Sequence, residues 1–402
     1  MLAGGAAEVA FGAASFDQQP PTVQVPVPAA PPTPPPTPPP TPPPTPPPAP
    51  KATEKAPKAP AAPAPKFPSA TKWSATIDAA PIAPPIVADG RVLLALRSGV
   101  LMARKVADGA ELWTAKLPID QPVVADDGRV FVVTGERLHA LSGDAGAPLW
   151  EAPIGQPSAP IVARGGWVIA ASDGAVTAIR AADGERVWSQ ATGSVSERPA
   201  IEGDVLYLPL AEGRLAALDL KTGTLNWSVE VGPSPTEPLV YANRVYLGSD
   251  WKRFQCLDAA TGDALWNWNI GMRIIGPAAA DEARIYFTAM DNQVRALSRV
   301  NGGQRWRFPL AYRPTRGPVV LGPQVAVPGI TNELPGINVI TGKPTGKLTL
   351  PVLLAIGPSF VPPEGADGVP AVVAITGGLT NQWTLSLAVP APDTPAAAAP
   401  PK

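Results

Sequence analysis

Short apolar runs alternate with polar, glycine-bearing turns through most of this chain. In the first clear unit the turns are Asp89-Gly90, Ser98-Gly99 and Asp108-Gly109, and four runs lie around them at residues 85–88, 91–96, 100–106 and 111–117. Apolar and polar positions alternate within the runs, which is the two-residue period of a strand with one buried face. The pattern therefore predicts an all-β unit of four strands.

An eleven-residue phrase recurs at a nearly constant period. Residues 217–227 read A-L-D-L-K-T-G-T-L-N-W, and residues 256–266 read C-L-D-A-A-T-G-D-A-L-W. Degenerate copies end at four other tryptophans, so that successive copies lie 37, 38, 39, 39 and 40 residues apart. A period near 40 with one aromatic residue per repeat is typical of a β-propeller, in which each repeat forms one four-stranded blade.

A proline opens each repeat and gives an independent count of the blades. Proline suits the start of a strand because its missing N–H removes no hydrogen bond from the ladder. The prolines that open an apolar run are Pro85, Pro122, Pro160, Pro199, Pro238, Pro277, Pro318 and Pro358. The sequence thus predicts an all-β, eight-bladed propeller of four-stranded antiparallel blades.

The two ends of the ring are predicted to share one blade. The last repeat, which begins at Pro358, has no turn-and-tryptophan phrase of its own, whereas Trp73 lies 12 residues before Pro85. We expect residues 72–78 to supply the outer strand of the last blade, which leaves no unpaired edge in the ring. The seventh repeat has lost its tryptophan, because Gly346 stands at that position.

The chemistry of the repeated phrase is structural. Asp219 and Thr222 are suited to hydrogen-bond the backbone of a tight turn, and Gly223 accepts the positive φ that such a turn requires. The tryptophan four residues later is expected to lie against the neighbouring blade and to bury about 150–250 Å². The predicted docking residues are Trp73, Trp113, Trp150, Trp188, Trp227, Trp266 and Trp306.

Proline dominates the residues before the first repeat. Such a segment buries too little apolar surface to form a core and favours the extended polyproline II conformation. We therefore predict a disordered, proline-rich tether at 1–69, the propeller at 70–390 and a disordered alanine and proline tail at 391–402. A PxxP ligand for a recognition module is the alternative role of the first segment.

Charge and cysteine content exclude several functional classes. The formal net charge is −1 at pH 7, so neither a nucleic acid nor an anionic membrane is a predicted partner. With one Cys and one His, no internal disulfide and no Cys/His metal site are expected, and both Cys256 and His139 are interpreted as strand residues. No apolar run is long enough for a transmembrane segment. Residues 1–16 lack a basic leader, so an export signal is not evident.

The phrase A-x-D-x-x-T-G-x-x-x-W resembles the tryptophan-docking motif of pyrroloquinoline-quinone (PQQ)-type propellers, over about residues 70–390. That superfamily includes quinoprotein alcohol dehydrogenases and the smaller, non-enzymatic BamB class of outer-membrane assembly lipoproteins. The order W-S-Q-A-T-G-S at 188–194 is more similar to the BamB class. The dehydrogenases use a vicinal disulfide and a Ca²⁺ site. Cys256 has no neighbouring cysteine with which to form such a disulfide, and the predicted inner strands have hardly a carboxylate to bind Ca²⁺. The resemblance therefore implies no enzyme activity and no cofactor.

One turn has an unusual composition. Residues 248–254 read G-S-D-W-K-R-F, whereas other blades have a small polar turn there. An exposed tryptophan beside arginine is typical of an interface anchor; the alternative is that Trp251 folds back onto its own blade. Further aromatic and basic residues follow in the predicted connections after the fifth and sixth blades, on one face of the disc. The candidate protein-binding residues are Trp251, Lys252, Arg253, Trp268, Arg273, Tyr312, Arg313 and Arg316.

These features favour a non-catalytic scaffold of the bacterial cell envelope that supports assembly of outer-membrane β-barrel proteins. It would be a monomeric propeller within a larger complex, in the periplasm or at the periplasmic face of the outer membrane, with the barrel-assembly machinery as partner. The alternatives are an extracytoplasmic sensor or surface propeller for another complex and, third, a PQQ-dependent dehydrogenase. The contacts implied by the BamB resemblance do not transfer, because Gly155 stands at its basic position and Ser194 and Ser196 at its acidic ones.

Overall fold

The computed structural model describes residues 66–361, 370–377 and 382–391, and every regular element within these ranges is a strand. In chain order the first sixteen strands are β1 (Pro68–Ile77), β2 (Ile86–Ala88), β3 (Arg91–Leu96), β4 (Val100–Lys105), β5 (Glu111–Lys116), β6 (Val124–Asp126), β7 (Arg129–Thr134), β8 (Arg137–Ser142), β9 (Pro148–Pro153), β10 (Val162–Arg164), β11 (Trp167–Ser172), β12 (Ala175–Arg180), β13 (Arg186–Ala191), β14 (Ala200–Glu202), β15 (Val205–Leu210) and β16 (Arg214–Asp219). The others are β17 (Leu225–Glu230), β18 (Leu239–Tyr241), β19 (Arg244–Ser249), β20 (Arg253–Asp258), β21 (Ala264–Asn269), β22 (Ile274–Ala280), β23 (Arg284–Ala289), β24 (Gln293–Ser298), β25 (Gln304–Pro309), β26 (Val319–Leu321), β27 (Gln324–Ala326), β28 (Glu333–Asn338), β29 (Pro344–Thr349), β30 (Ser359–Val361), β31 (Ala371–Gly377) and β32 (Trp383–Pro390). Most of the predicted tether and tail, at 1–65 and 392–402, lies outside the described residues.

The strands form eight four-stranded antiparallel sheets, each of them one blade. Blades 1 to 7 take four consecutive strands each, from β2–β5 in blade 1 to β26–β29 in blade 7. The first strands of neighbouring blades contact one another round a closed ring, from β2 and β6 onward to β30 and back to β2. These short strands therefore surround the central channel, and the fourth strand of each blade is outermost. The predicted eight-bladed propeller is confirmed.

The ring closes through a blade shared by both ends of the described chain. Blade 8 has the order β30-β31-β32-β1, in which β1 pairs antiparallel with β32. Trp73 lies opposite Leu387, and Ile77 lies opposite Trp383. The predicted closure is confirmed, although the strand begins at Pro68 rather than near residue 72.

The strand order gives the disc two different faces. Connections between blades lie on the same face as the turns between second and third strands, and we call this the connection face. The remaining turns lie on the opposite face, which we call the motif face because the D-x-x-T-G turns belong to it. Since Pro68 pairs with Pro390 at the beginning of β1 and the end of β32, the chain enters and leaves the ring on the motif face.

The hydrophobic core is divided into eight layers, one between each pair of neighbouring blades. Second and third strands are therefore covered on both sides and are apolar almost throughout, as in β15. Outermost strands such as β5 alternate between buried and exposed positions, because one of their faces meets water. The regular alternation of buried and exposed positions expected from the sequence is therefore clearest in the outermost strands.

The repeated turn is held by its own side chains. In blade 4 the Asp219 carboxylate accepts hydrogen bonds from the backbone N–H groups of Lys221 (3.1 Å) and Thr222 (2.8 Å) and from the Thr222 hydroxyl (2.8 Å). Gly223 follows with φ at 74°. The next strand therefore begins at a defined angle, which directs its tryptophan toward the neighbouring blade.

Each docking indole reaches the motif turn of the following blade. Its ring lies over the glycine of that turn, and its Nε1–H donates to the carbonyl three residues before the glycine. The donor and acceptor pairs are Trp73 and Val106 (2.9 Å), Trp113 and Gly143 (2.8 Å), Trp150 and Ala181 (3.1 Å), Trp188 and Leu220 (2.8 Å), Trp227 and Ala259 (3.1 Å), Trp266 and Arg299 (3.0 Å), and Trp306 and Val339 (2.8 Å). From this geometry we propose that the indoles fasten each blade to the next.

Substitution of a turn glycine separates backbone strain from indole contact. Gly262→Ala should lower the free energy of unfolding by about 2–4 kcal/mol, because φ is 81° and the new Cβ would lie 2.7 Å from Trp227 Cε3. Gly90→Ala is the matched control, with φ at 71° and nothing within 4 Å. It should cost only the roughly 1–2 kcal/mol of the left-handed backbone. Urea denaturation measures both, and equal losses would contradict the docking contact.

The missing tryptophan of blade 7 is replaced by an aromatic residue from the N-terminal segment. Gly336 lies opposite Gly346, at the position where blade 6 pairs Ala296 with Trp306. An added Cβ on Gly336 would overlap Cδ2 of Phe67, which is only 2% exposed and packs in the layer between blades 7 and 8. The sequence indicated the loss at Gly346 but not its replacement.

Candidate protein-binding surface and channel mouth

Trp251 stands in the turn between β19 and β20, on the connection face. Its indole lies over Gly232, where an added Cβ would overlap Trp251 Cδ2, and the guanidinium carbon of Arg253 is 5.4 Å from the ring centroid. Trp251 is nevertheless 43% exposed. The ring therefore rests on the connection that precedes blade 5 rather than on its own blade, and one side of it still faces solvent.

Polar contacts join the exposed turn of blade 5 to the connections that follow it. Arg273 Nε lies 3.5 Å from the Asp250 carboxylate, and the Arg273 carbonyl accepts a hydrogen bond from Met290 N–H (2.9 Å). The Arg313 guanidinium in turn lies 3.5 Å from Met290 Sδ. The candidate residues of blades 5 and 6 thus form one continuous strip rather than separate sites.

Two candidate residues are half-buried against neighbouring blades, and for Trp268 the predicted position in a connection is wrong. Trp268 lies within β21 and not in a connection; its edge meets the Phe287 ring at a centroid distance of 5.9 Å, and Arg295 stacks on it. The Tyr312 hydroxyl donates to the Val327 carbonyl (2.8 Å), and burial raises the pKa of this phenol. Both side chains therefore lie beneath the exposed strip, because residues of the neighbouring blade pack against them.

Exposed apolar side chains extend the strip, and sequence reasoning missed them. Met272, Ile330, Val352 and Leu353 are all exposed on the connection face, Leu353 at 57%. The available signal was an apolar residue inside a connection otherwise rich in small and polar residues. We call the combined exposed surface the connection-face rim, made of Trp251, Lys252, Met272, Arg273, Arg313, Ile330 and Leu353.

A funnel opens beside the rim, where the innermost strands begin. It is a cavity of about 1140 Å³, lined largely by the prolines that precede these strands and by apolar side chains such as Ile274, Ile275 and Phe360. Arg273 and Arg316 also line it. The structure therefore brings Arg316, predicted as part of an aromatic and basic patch, into the channel mouth instead.

Three further charged residues line the funnel, and sequence reasoning assigned them no role. They are Glu197, Arg198 and Glu237, each within two positions of a strand-opening proline. Glu237 accepts a hydrogen bond from Arg316 (3.0 Å). Desolvation at the channel mouth lowers the pKa of Arg198, whereas partial desolvation and the nearby Glu237 carboxylate raise the pKa of Glu197, although that side chain keeps contact with water. The detectable signal was the pair of phrases E-R-P and T-E-P.

The raised pKa of Glu197 gives a pH dependence with a definite sign. The folded state holds this proton to higher pH than the unfolded state, so stability falls as pH rises through the interval above the ordinary pKa of 4.5. Glu197→Gln should increase the free energy of unfolding at pH 7 by less than about 1 kcal/mol, because the exposed side chain is screened by solvent. The gain should vanish below about pH 4. Urea titrations at both pH values measure it, with Glu230→Gln in an outermost strand as control; a gain that is equal at the two pH values would contradict it.

The remaining titratable candidates lie in the blades and not at the channel. His139 in β8 has Nε2 2.6 Å from the Thr134 hydroxyl and Nδ1 3.5 Å from the Glu151 carboxylate. Cys256 is fully buried opposite Trp266, and burial raises the pKa of its thiol. Among the described residues, no three His, Cys, Asp or Glu side chains cluster as a metal site would require, and no helix long and apolar enough to cross a membrane is found.

A family model covers most of the ring. Two matches to the model described as "Outer membrane protein assembly factor BamB" span residues 97–239 and 237–352, which together exceed half of the chain. The chain belongs to the BamB family. The resemblance inferred from the repeated phrase is thereby confirmed.

Curated BamB relatives match over a limited length. The BamB of Alkalilimnicola ehrlichii is 35% identical over 136 residues, which is 32% of this chain and 36% of the relative. The BamB of Vibrio cholerae is 27% identical over 148 residues, which is 32% of this chain and 38% of the relative. The chain thus spans little more than a third of the length of these BamB relatives.

Solved structures share the architecture. BamB from Moraxella catarrhalis superposes with a TM-score of 0.61 at 20% identity, covering 79% of this chain and 97% of that one. A quinohemoprotein alcohol dehydrogenase from Pseudomonas putida reaches 0.63 at 14% identity, covering 83% and 78%. At these identities the likeness concerns the fold alone, which BamB and the dehydrogenases have in common.

Proposed function

We propose that this protein is a non-catalytic scaffold of the cell envelope that supports the assembly of outer-membrane β-barrel proteins. It would bind a protein of the barrel-assembly machinery through the connection-face rim, as a single propeller within a larger complex. Membership of the BamB family supports the assembly role. The periplasm, or the periplasmic face of the outer membrane, is the corresponding location.

The observation that carries the proposal is the composition of the rim. A half-exposed tryptophan, exposed Met272 and Leu353, and the guanidinium groups of Arg273 and Arg313 lie on one face. Aromatic, methionine and arginine side chains are the types enriched in protein interfaces. A partner that covers the rim would bury its apolar side chains together with the three cationic groups of Lys252, Arg273 and Arg313.

The path of the chain agrees with a tethered scaffold. We propose the three segments 1–69, 70–390 and 391–402 as tether, propeller and tail, with β1 already beginning at Pro68. Because β1 starts on the motif face, the proposed tether would join the propeller on the face opposite the connection-face rim. The rim would then be free to meet a partner in the envelope.

We also propose that no quinone cofactor or metal is involved. The inner strands of the described blades consist mainly of apolar residues, with Asp126, Arg164 and Glu202 at the ends of β6, β10 and β14. The one cysteine is buried opposite Trp266. The charged groups at the mouth, three arginines and two glutamates, do not resemble an oxygen cage for Ca²⁺. These residues suit recognition better than redox chemistry.

Site-specific photo-cross-linking in cells tests the function. A photoreactive amino acid at Trp251 or Met272 should give adducts with barrel-assembly proteins, whereas Val300 and Ile340, exposed in motif-face turns, should not. The double substitution Trp251→Ala and Arg253→Ala should reduce capture of the partner more than Val300→Ala with Ile340→Ala. Equal adducts from both faces, or none from the rim, would refute the proposal.

A second candidate is a surface propeller that serves a different envelope complex. It is favoured by Gly155, Ser194 and Ser196, which stand where the BamB resemblance implies a basic residue and acidic contacts. The same cross-linking decides between the two, because rim adducts with a protein outside the barrel-assembly machinery would support this alternative.

A further inference from the structure

Among the described charged residues of the funnel, Arg198 is the one with an unsatisfied hydrogen-bond donor. It lines the channel mouth, directly before the proline that precedes β14. Its Nε is buried and has no hydrogen-bond partner among the described residues. A buried donor left without an acceptor costs free energy that a bound acceptor would recover. The site therefore lacks an acceptor at Arg198.

The other charges of the funnel largely satisfy one another. Arg316 donates to Glu237, and Arg273 lies beside Asp250, outside the funnel lining. Glu197 is exposed and reaches water. Glu197 and Glu237 also place two negative charges near the free guanidinium, and they would repel a multiply charged anion. A single carboxylate is the acceptor that fits this balance, since it pairs with a guanidinium in planar, bidentate geometry.

The rest of the lining points to an apolar, extended chain around that carboxylate. Prolines at the start of the inner strands have no N–H to donate, so arginine side chains are the principal anion donors at the mouth. Ile274, Ile275, Ile330 and Phe360 supply apolar walls. The cavity of about 1140 Å³ exceeds the roughly 300–1,000 Å³ of ordinary small-molecule sites. Its size and openness to the rim favour a peptide segment over a metabolite.

We propose that the funnel binds an extended, apolar peptide segment of a partner protein through one carboxylate held by Arg198. This inference rests on the proposed function, because the peptide would belong to the protein that covers the adjacent rim. Arg316 and Glu237 would flank the carboxylate and limit the site to one negative charge. Ile274 and Phe360 would contact the apolar side chains that precede it.

Calorimetric titration of the full-length protein with matched peptides tests this site. The probe is the N-acetylated pentapeptide Ala-Pro-Val-Ile-Ala as free acid, compared with the same peptide as C-terminal amide. An amidated peptide with aspartate at its centre distinguishes a side-chain carboxylate from a terminal one, and butyrate represents a small acid. At least one carboxylate peptide should bind roughly 10- to 100-fold more tightly than the uncharged amide.

Arg198→Gln should remove that difference, leave binding of the amide unchanged and cause no fall in the melting temperature. The control is Arg97→Gln, which lies in a connection-face turn outside the funnel lining and should bind like the unmodified protein. Four results would each overturn the proposal: equal affinity for the acid and the amide peptide, no binding of any peptide, tight binding of the carboxylate peptide to the Arg198→Gln variant, or an affinity for butyrate as high as that for the peptides.

The two proposals fail in distinguishable ways. If Trp251 gives no adducts while the carboxylate peptide still requires Arg198, the rim proposal fails and the peptide site stands. If Trp251 gives adducts with barrel-assembly proteins but no peptide binds, the funnel proposal alone is wrong.

Discussion

Trp227→Ala should lower the free energy of unfolding by roughly 3–5 kcal/mol. The indole lies over Gly262, donates to the Ala259 carbonyl and sits 5.9 Å from the Tyr207 ring, so the truncation opens a cavity between blades 4 and 5. It also leaves the Ala259 carbonyl without this donor. Urea denaturation followed by far-ultraviolet circular dichroism measures the loss.

Leu225→Ala is the matched control for this substitution. Leu225 begins the same strand but is exposed and belongs to none of the buried layers, so its loss should change stability by no more than about 0.5 kcal/mol. If Trp227→Ala stays within that range of the control, the indole does not hold the two blades together. The proposed docking role would then be wrong.

Phe67→Ala should be about as costly, at roughly 3–5 kcal/mol, although Phe67 precedes the first strand. The ring fills the space over Gly336 and Gly346 and packs with Leu334 and Leu348 between blades 7 and 8. Its removal would leave a hole at the junction where the ring is closed. Phe67→Leu, which keeps most of the volume, should cost less than about 1.5 kcal/mol.

A double-mutant cycle with Gly336→Ala tests the same contact from the other side. In the unmodified protein the new methyl group would overlap the Phe67 ring, so Gly336→Ala should be destabilising by about 1–3 kcal/mol. In the Phe67→Ala background the ring atoms are absent and only the Cβ of residue 67 remains, 3.0 Å from the new methyl group, so the same substitution should cost clearly less. Additive losses would show that Phe67 does not occupy this position in solution.

The fold could be predicted because its determinants are local and repeated. Asp219, Thr222 and Gly223 interact within one turn, and Trp227 docks onto the next copy of the phrase. The repeated phrase therefore predicts both the strands of a blade and the contact of that blade with the following one. Phe67 escaped this logic, because a single phenylalanine outside the repeat has no periodic partner in the sequence.

The candidate site was predicted only in part, for an equally physical reason. Trp251 was recognised because its turn differs from the equivalent turns of other blades, whereas Trp268 was misplaced, since a strand position and a connection position look alike at the end of β21. The mouth was missed because Glu237 and Arg316 are 79 positions apart and meet only when the ring closes. In the sequence, Glu197, Arg198 and Glu237 are isolated charged residues near prolines, and no pattern indicates that they belong to one site.

The amino-acid sequence by itself determined the number of blades, their four-stranded form and the closure of the ring through residues near both ends. These follow from hydrogen bonds and apolar contacts between segments at most one repeat apart, and from the requirement that no strand edge stay unpaired. Only the tertiary structure decided which side chains meet across the disc: Phe67 in the place of a tryptophan, the continuous rim, and Arg198 without an acceptor at the mouth. Curvature accumulated over eight blades brings such residues together, and no single repeat contains that information.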